Sequence, residues 1–261
     1  MNLGPVSAYS RRASLLRHTP ANEGLKERRH LVHVPDGFID VPVSLAAAGV
    51  STAVVAVCLQ RTRKTMSDAA APMAGLVAVF VFAAQMFNFP VGAGTSGHMI
   101  GAALAVILIG PYAGVVAVSV VVIVQALFFA DGGLTALGLN VLNLAILTAL
   151  VAWPAFRLVV RVFGTGKAAV MVGAGIAGFV SVLAAAAGFV MEFAVGGTAA
   201  VDTGAVAVAM LGVHTLIGAI EGVITALVVG AILSVRPDLV TGVVDLRKAE
   251  RAQRSEEAVL S

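Results

Sequence analysis

Residues 212–233 read GVHTLIGAIEGVITALVVGAIL, and this stretch decides what kind of protein the chain is. An apolar run of about twenty residues is the length at which a helix crosses the hydrocarbon core of a bilayer, and this run extends on both sides to fill 204–234. Working outward, comparable runs occur near 42–60, 71–88, 98–110, 112–130, 135–156 and 168–194. Together they predict an all-α, polytopic membrane protein with about seven transmembrane helices. The third run is short, bounded by glycine and ends at "GPY", so a tilted or broken helix is expected there. The last two are long enough to tilt or to continue beyond the bilayer.

Composition agrees. Of 261 residues 59% are hydrophobic and 12% charged, whereas about a quarter are charged in a soluble domain. A formal net charge of +3 would suggest nucleic acid in a soluble chain, but after residue 30 the Lys and Arg residues cluster at 61–64, 157–167, 236 and 247–254. With seven spans these clusters all fall on one side, which the positive-inside rule makes the cytoplasm; no nucleic-acid partner is implied. The expectation is a multi-pass protein of the cytoplasmic membrane with its N-terminus extracytoplasmic and its C-terminus cytoplasmic, and residues 236–261 as a cytoplasmic tail. The opposite loops lack Lys and Arg but carry Asp36, Asp40, Asp131, Glu192 and Asp202, so a cation arriving from outside meets an acidic face. The single cysteine, Cys58, lies inside an apolar run and excludes a disulfide framework or a thiolate metal cluster.

Residues 1–30 break this pattern. They hold Arg11, Arg12, Arg17, Lys26, Arg28 and Arg29 on the side that otherwise has no cation, and no apolar core of a signal peptide. Their polar, aperiodic composition gives no reason to fold. The Ala, Val, Gly and Arg richness suggests a GC-rich genome, where GTG is a common start codon. The expected organisation is therefore an extension, 1–31, disordered or not translated, followed by a transmembrane domain, 32–235, whose chain starts at Val32 read as Met.

A free α-amine, the next amide nitrogen and the imidazole of the second residue can wrap a metal ion in fused chelate rings, and a second imidazole completes four nitrogens. Nickel(II) and copper(II) favour such tetragonal nitrogen fields, and imidazole also suits cobalt and zinc. In "HVPDGF", 33–38, Pro35 and Gly37 set a tight turn directly after His33. A second imidazole, His98, stands at the mouth of the third span in "QMFNFPVGAGTSGHMIG", 85–101, where Gly92, Gly94 and Gly97 allow close backbone approach. Read alone, His33 fits a solvated loop histidine and His98 a helix-cap or interface residue, with Thr95 or Ser96 equally placed to cap the following helix. Asn140 and Asn143 read as interhelical hydrogen-bonding residues. His214 and Glu221, seven apart on one helical face, are a functional candidate by depth in the membrane or polar glue between helices.

The strings "HVPDGFID" at 33–40, "QMFNFPVGAGTSGHMIG" at 85–101, "LIGPYAGV" at 108–115 and "QALFFADGGLTALGLNVLN" at 125–143 resemble the CbiM/NikM family, the substrate-binding membrane components of cobalt and nickel energy-coupling-factor (ECF) transporters. The resemblance covers residues 32 to about 235. It implies an ECF S-component-like bundle of seven spans whose extracytoplasmic N-terminus tucks in and binds Ni(II) or Co(II) as transported ligand. The implied ligands are the amine and amide at Val32 and His33, the His33 imidazole and the His98 imidazole. The departure is the extension, because the family's chain begins where Val32 stands and a persisting extension would abolish the amine ligand.

The chain has no Gly-rich phosphate loop followed by Lys-Ser or Lys-Thr, so energy must come from partners. The resemblance supplies them: a transmembrane coupling subunit, a cytoplasmic ATPase pair and a small accessory membrane subunit, with membrane lipid around the spans. No catalytic cofactor is expected, and the protein is read as a transporter component and not an enzyme. An intramembrane zinc metalloenzyme is disfavoured because no His-Glu-x-x-His pair occurs. A secondary transporter or a vitamin-binding component is disfavoured by one Trp and two Tyr, too few for a stacked organic ligand. The orientation has a direct check: cysteines placed at 92–97 and 196–203 should label from outside the cell, and those at 62–66 and 241–255 should not.

Overall fold

The computed structural model describes residues 33–66, 71–92 and 95–260; the extension 1–31 and Val32 lie outside them. The helices are α1 (Val41–Thr65), α2 (Ala71–Gln85), α3 (Ala102–Ile109), α4 (Pro111–Phe128), α5 (Leu137–Val141), α6 (Thr148–Phe163), α7 (Lys167–Gly196), α8 (Thr203–Val235) and α9 (Thr241–Leu260). A π-helical turn, Leu142–Leu147, joins α5 to α6 in one rod. Between α2 and α3 lies an antiparallel hairpin of β1 (Asn88–Gly92) and β2 (Thr95–His98), in which Asn88 pairs with His98.

Among the described residues five helices have the length and apolarity to cross a membrane: α1, α4, the α5–α6 rod, α7 and α8. Two of the seven expected spans are shorter. The helix α2 has 15 residues and α3 only 8, about 12 Å of helix against a hydrocarbon core of about 30 Å. The run at 98–110, already short, was counted as a span for its apolar character, and its start belongs to the end of the hairpin. Left-handed Gly101 and Gly110, at φ 74° and 83°, bound α3, a conformation that suits glycine, and Pro111 starts α4. Thr95 and Ser96, which the sequence offered as alternative caps of the following helix, lie in β2.

Burial explains how so short an apolar helix is used. Every residue from Ala102 to Leu108 is at most 3% exposed, so α3 is sheathed by neighbouring helices and not by lipid. It folds back on α4 so closely that a Cβ on Gly114 would lie 2.8 Å from Val106 Cγ1. Lipid-facing surface is supplied by large side chains such as Val195, Val208 and Phe128, each about three-quarters exposed. Small residues fill the α7–α8 contact, where a Cβ on Gly178 would lie 3.1 Å from Gly222 Cα. Without a hydrophobic force between helices in lipid, such close backbone approach is what holds them.

The bundle has two unlike ends. At the basic end sit Arg63 and Lys64 in the last turn of α1 and Arg161 in the last turn of α6. Residues 236–261, expected as a tail, begin there with a docked segment. The Thr241 hydroxyl donates to the Leu108 carbonyl at 2.7 Å, Arg247 donates to the Thr165 carbonyl, and Val240, Val243 and Leu246 are buried. At the other end, the histidine end, residues 33–40 are laid into the bundle. Asp40 N–H donates to Gly196 O at 2.7 Å, Thr198 N–H to Phe38 O at 3.1 Å and Gly133 N–H to Val34 O at 2.9 Å. Phe38 stacks on Phe189 and lies beside Phe193.

Crowding at the α7–α8 contact gives a stability test. Gly178→Val should cost about 1–3 kcal/mol through overpacking, read as a lower thermal midpoint in detergent, whereas Gly212→Ala, with open space at that position, should leave the midpoint unchanged.

Candidate metal centre

The chain at 33–36 is shaped by four hydrogen bonds, two to Asn140 and two to Thr135. Asn140 in α5 accepts the Val34 N–H on Oδ1 at 2.9 Å and donates from Nδ2 to the Val34 carbonyl at 3.3 Å. Asp36 accepts the N–H and hydroxyl of Thr135 at 2.7 and 2.5 Å, and the Thr135 hydroxyl, with its N–H second, holds the Asp36 carboxyl below the usual range. That bond is complete at neutral pH and is lost only as the pH falls through the lowered value. Asn140 was expected to bond between helices; it grips the N-terminal segment instead. Asn143 does bond between helices, donating to Glu192 on α7 at 2.7 Å.

This grip buries His33, whose residue is 5% exposed. Its Nδ1 lies 3.1 Å from the Asp131 carbonyl oxygen and 3.6 Å from Asp131 Oδ1. Nδ1–H is therefore the donor and the Nε2 lone pair is free; Nε2 is buried without a hydrogen-bond partner. Burial pushes the imidazole below its usual pKa, against the opposing pull of Asp131.

His98 arrives from the opposite side at the end of β2, in antiparallel register with Asn88. Its ring meets that of His33 edge to face with centroids 4.8 Å apart. Its Nδ1–H donates to the Met99 carbonyl at 2.7 Å, which again leaves the lone pair on Nε2. The corner that follows is held by a fork. Glu221 of α8 accepts Ile100 N–H at 2.6 Å and Gly101 N–H at 2.9 Å, one on each carboxylate oxygen, while Gln85 at the end of α2 donates to the Ile100 carbonyl at 2.8 Å. The backbone there lies at membrane depth outside regular helix, a place where each polar group needs a protein partner.

The two expected imidazoles, His33 and His98, thus come together; Val32, the third expected ligand residue, lies outside the described residues. Among the described residues no group of three or more His, Cys, Asp or Glu side chains is arranged to hold a metal ion. Two imidazoles, those of His33 and His98, meet there. Of three positioning residues, Gln85 escaped the sequence reading, while Asn140 and Glu221 were singled out there without their backbone partners. Gln85 and Glu221 carried only the signal of a polar residue in an apolar run, and Asn140 that of an amide facing an unknown partner.

The same architecture recurs in known proteins. A family model described as the cobalt uptake substrate-specific transmembrane region, CbiM, matches residues 33–239. A metal transport protein of Haloquadratum walsbyi is 37% identical over 209 residues, covering 80% of this chain and 93% of that protein. A fused nickel transport protein, NikMN, of Archaeoglobus fulgidus is 39% identical over 209 residues, 80% of this chain and 68% of that one. The cobalt transport protein CbiM of Sorangium cellulosum is 36% identical over 184 residues, 68% of this chain and 80% of that protein. A solved structure of a truncated transition metal transporter superposes with a TM-score of 0.73 at 27% identity, over 78% of this chain and 99% of the other. The chain belongs to the CbiM family of cobalt and nickel transport components, which are transporters and not enzymes.

The Asn140 grip is testable without metal. Asn140→Ala leaves the Val34 N–H buried and unpaired, at a cost of about 1–3 kcal/mol, so amide hydrogen exchange at 34–38 should speed up strongly while exchange in α7 and α8 stays as in the parent protein.

Proposed function

We propose that this CbiM family member is the membrane substrate-capture component of an ECF-type importer for Ni(II) or Co(II). The observation that carries the reading is the pair of buried imidazoles of His33 and His98, with ring centroids 4.8 Å apart, the first of them next in sequence to position 32. In the chain that starts at position 32, the ligand set is the α-amine of residue 32, the amide nitrogen of His33, the His33 imidazole and His98 Nε2. A chelate ring fused through the His33 amide closes through Nδ1, so loading exchanges the contact of Nδ1 with the Asp131 carbonyl for the metal, and the Asp131 carboxylate beside it offsets part of the ion's charge. Relatives named as nickel and as cobalt transport proteins fit a four-nitrogen site that accepts either ion.

The amine is the vulnerable ligand, because any residue before position 32 turns it into an amide. Metal entry displaces protons from the amine and the amide. Affinity therefore rises with pH through the amine range, about 7.7–8.0. The histidine end faces outside, the basic end faces the cytoplasm, and the chain has no phosphate-binding loop of its own. A transmembrane coupling subunit, a cytoplasmic ATPase pair and a small accessory membrane subunit supply the energy and complete the importer.

Isothermal titration with Ni(II) and Co(II) tests the ligand set. His33→Ala and His98→Ala should each abolish tight binding while the helical melting transition persists, and the double variant should bind no worse than either single one, since each alone destroys the field. One added residue before position 32 should do similar damage. Unchanged affinity in the His98 variant or the extended one would place the metal elsewhere.

A further inference from the structure

A groove of about 620 Å³ opens in the basic half of the bundle, lined by Ala53 and Val57 of α1, Tyr112 and Val115 of α4, and Leu150 and Trp153 of the α5–α6 rod. Val57, Tyr112 and Leu150 are exposed, so the groove lies open on the membrane-facing surface. On either side its apolar row ends in an arginine. Along the rod Ile146, Leu150, Trp153 and Arg157 follow at the three- and four-residue spacing that keeps side chains on one helix face. Along α1 Ala53, Val57 and Arg61 do the same. From Ile146 to Arg157 the rod rises about 16 Å, half of a hydrocarbon core of about 30 Å and therefore the depth of one leaflet. Arg157 has no anion from its own chain. Its guanidinium carbon lies 5.4 Å from the centroid of the Trp153 ring, and its Nε is buried with no hydrogen-bond partner. Among the described residues the ion pairs belong to other side chains. A charged side chain within a membrane span pairs with an opposite charge, and the planar fork of a guanidinium matches phosphate.

We propose that this groove seats one acyl chain of an anionic phospholipid, with the phosphodiester of the lipid on the Arg157 guanidinium and Arg61 as the second cation. The other acyl chain stays in the bilayer. Basic pockets between helices take anionic head groups in this way, and Tyr112 and Trp153 are the ring types that gather where hydrocarbon meets head group. A zwitterionic lipid brings the same phosphate together with an ammonium, which the two arginines repel, so the site selects for net negative charge. The lipid site does not depend on the metal centre and stands whether or not the capture function holds.

Trp153 is the single tryptophan of the chain, so its fluorescence reports on this groove alone. The full chain is reconstituted in phosphatidylcholine vesicles and titrated with brominated phosphatidylglycerol or brominated phosphatidylcholine, each normalised to its unbrominated counterpart. Half-maximal quenching should need about fivefold less of the phosphatidylglycerol, the factor that one arginine contact with an anionic lipid is worth. Arg157→Gln should bring the two lipids to near parity. Arg61→Gln, at an exposed position, should weaken the preference without touching the packing, and it decides the matter if thermal melting shows the Arg157 variant to be misfolded. Arg63→Gln removes the same charge from the opposite face of α1 and should leave the preference as in the parent protein. Equal quenching by the two lipids in the parent, or a preference that falls as far in Arg63→Gln as in the other variants, would overturn the proposal. Quenching by neither lipid would mean that protein covers the groove, and would overturn it equally.

Discussion

The carboxylate of Glu221 is the point on which the structure turns. It is 1% exposed and takes two backbone N–H groups, those of Ile100 and Gly101, at the place where the hairpin ends and α3 begins. A buried N–H left without its acceptor costs about 1–3 kcal/mol, and here two of them depend on one carboxyl group. No apolar residue can do this job, because the two N–H groups would be left unpaired in a region without water. With the corner fixed, His98 two residues earlier is fixed too, and Gln85 on the Ile100 carbonyl ties the same peptide group to α2. The position of one imidazole thus depends on a contact between residues 121 apart in the chain.

The opposite imidazole is held by different means. His33 belongs to a segment with no regular structure of its own, tied by the amide of Asn140, the carboxylate of Asp36 and backbone bonds to the ends of α4 and α7. A rigid corner deep in the bundle and a strapped-down strand at its rim meet edge to face. Several of the rim's bonds are exposed, those of Asp36 and Thr198 among them, whereas those at Glu221 are buried.

Much of this was legible in the residues. The five long helices follow from apolar runs that no soluble fold needs, and the two histidines follow from the rarity of imidazole on an acidic, glycine-rich face. The extent of the third run was misread for a physical reason: hydropathy registers how apolar a segment is and not what surrounds it, so α3, enclosed by protein, looks the same as a helix enclosed by lipid. The punctuation that divides it, Gly101 and Gly110 before Pro111, was present in the sequence, yet a hairpin in front of it leaves no periodic trace in so few residues. Asn140, Gln85 and Glu221 show the same limit. A polar residue in an apolar run announces that it has a partner, and only the fold says whether that partner is another helix or a strand of backbone.

The enclosure of α3 bears on how the protein is made. An eight-residue helix is too short to partition into a bilayer as a span in its own right. The groups at its ends are satisfied by Glu221 and by Thr241, both of which are synthesised more than a hundred residues later. The nascent segment 88–110 therefore reaches the membrane before its hydrogen-bond partners exist, and it settles only after α8 and the start of α9 have followed. Insertion and assembly, which can be separate stages for an ordinary helical membrane protein, are for this segment a single late event, so the pocket that carries His98 is among the last parts of the molecule to form.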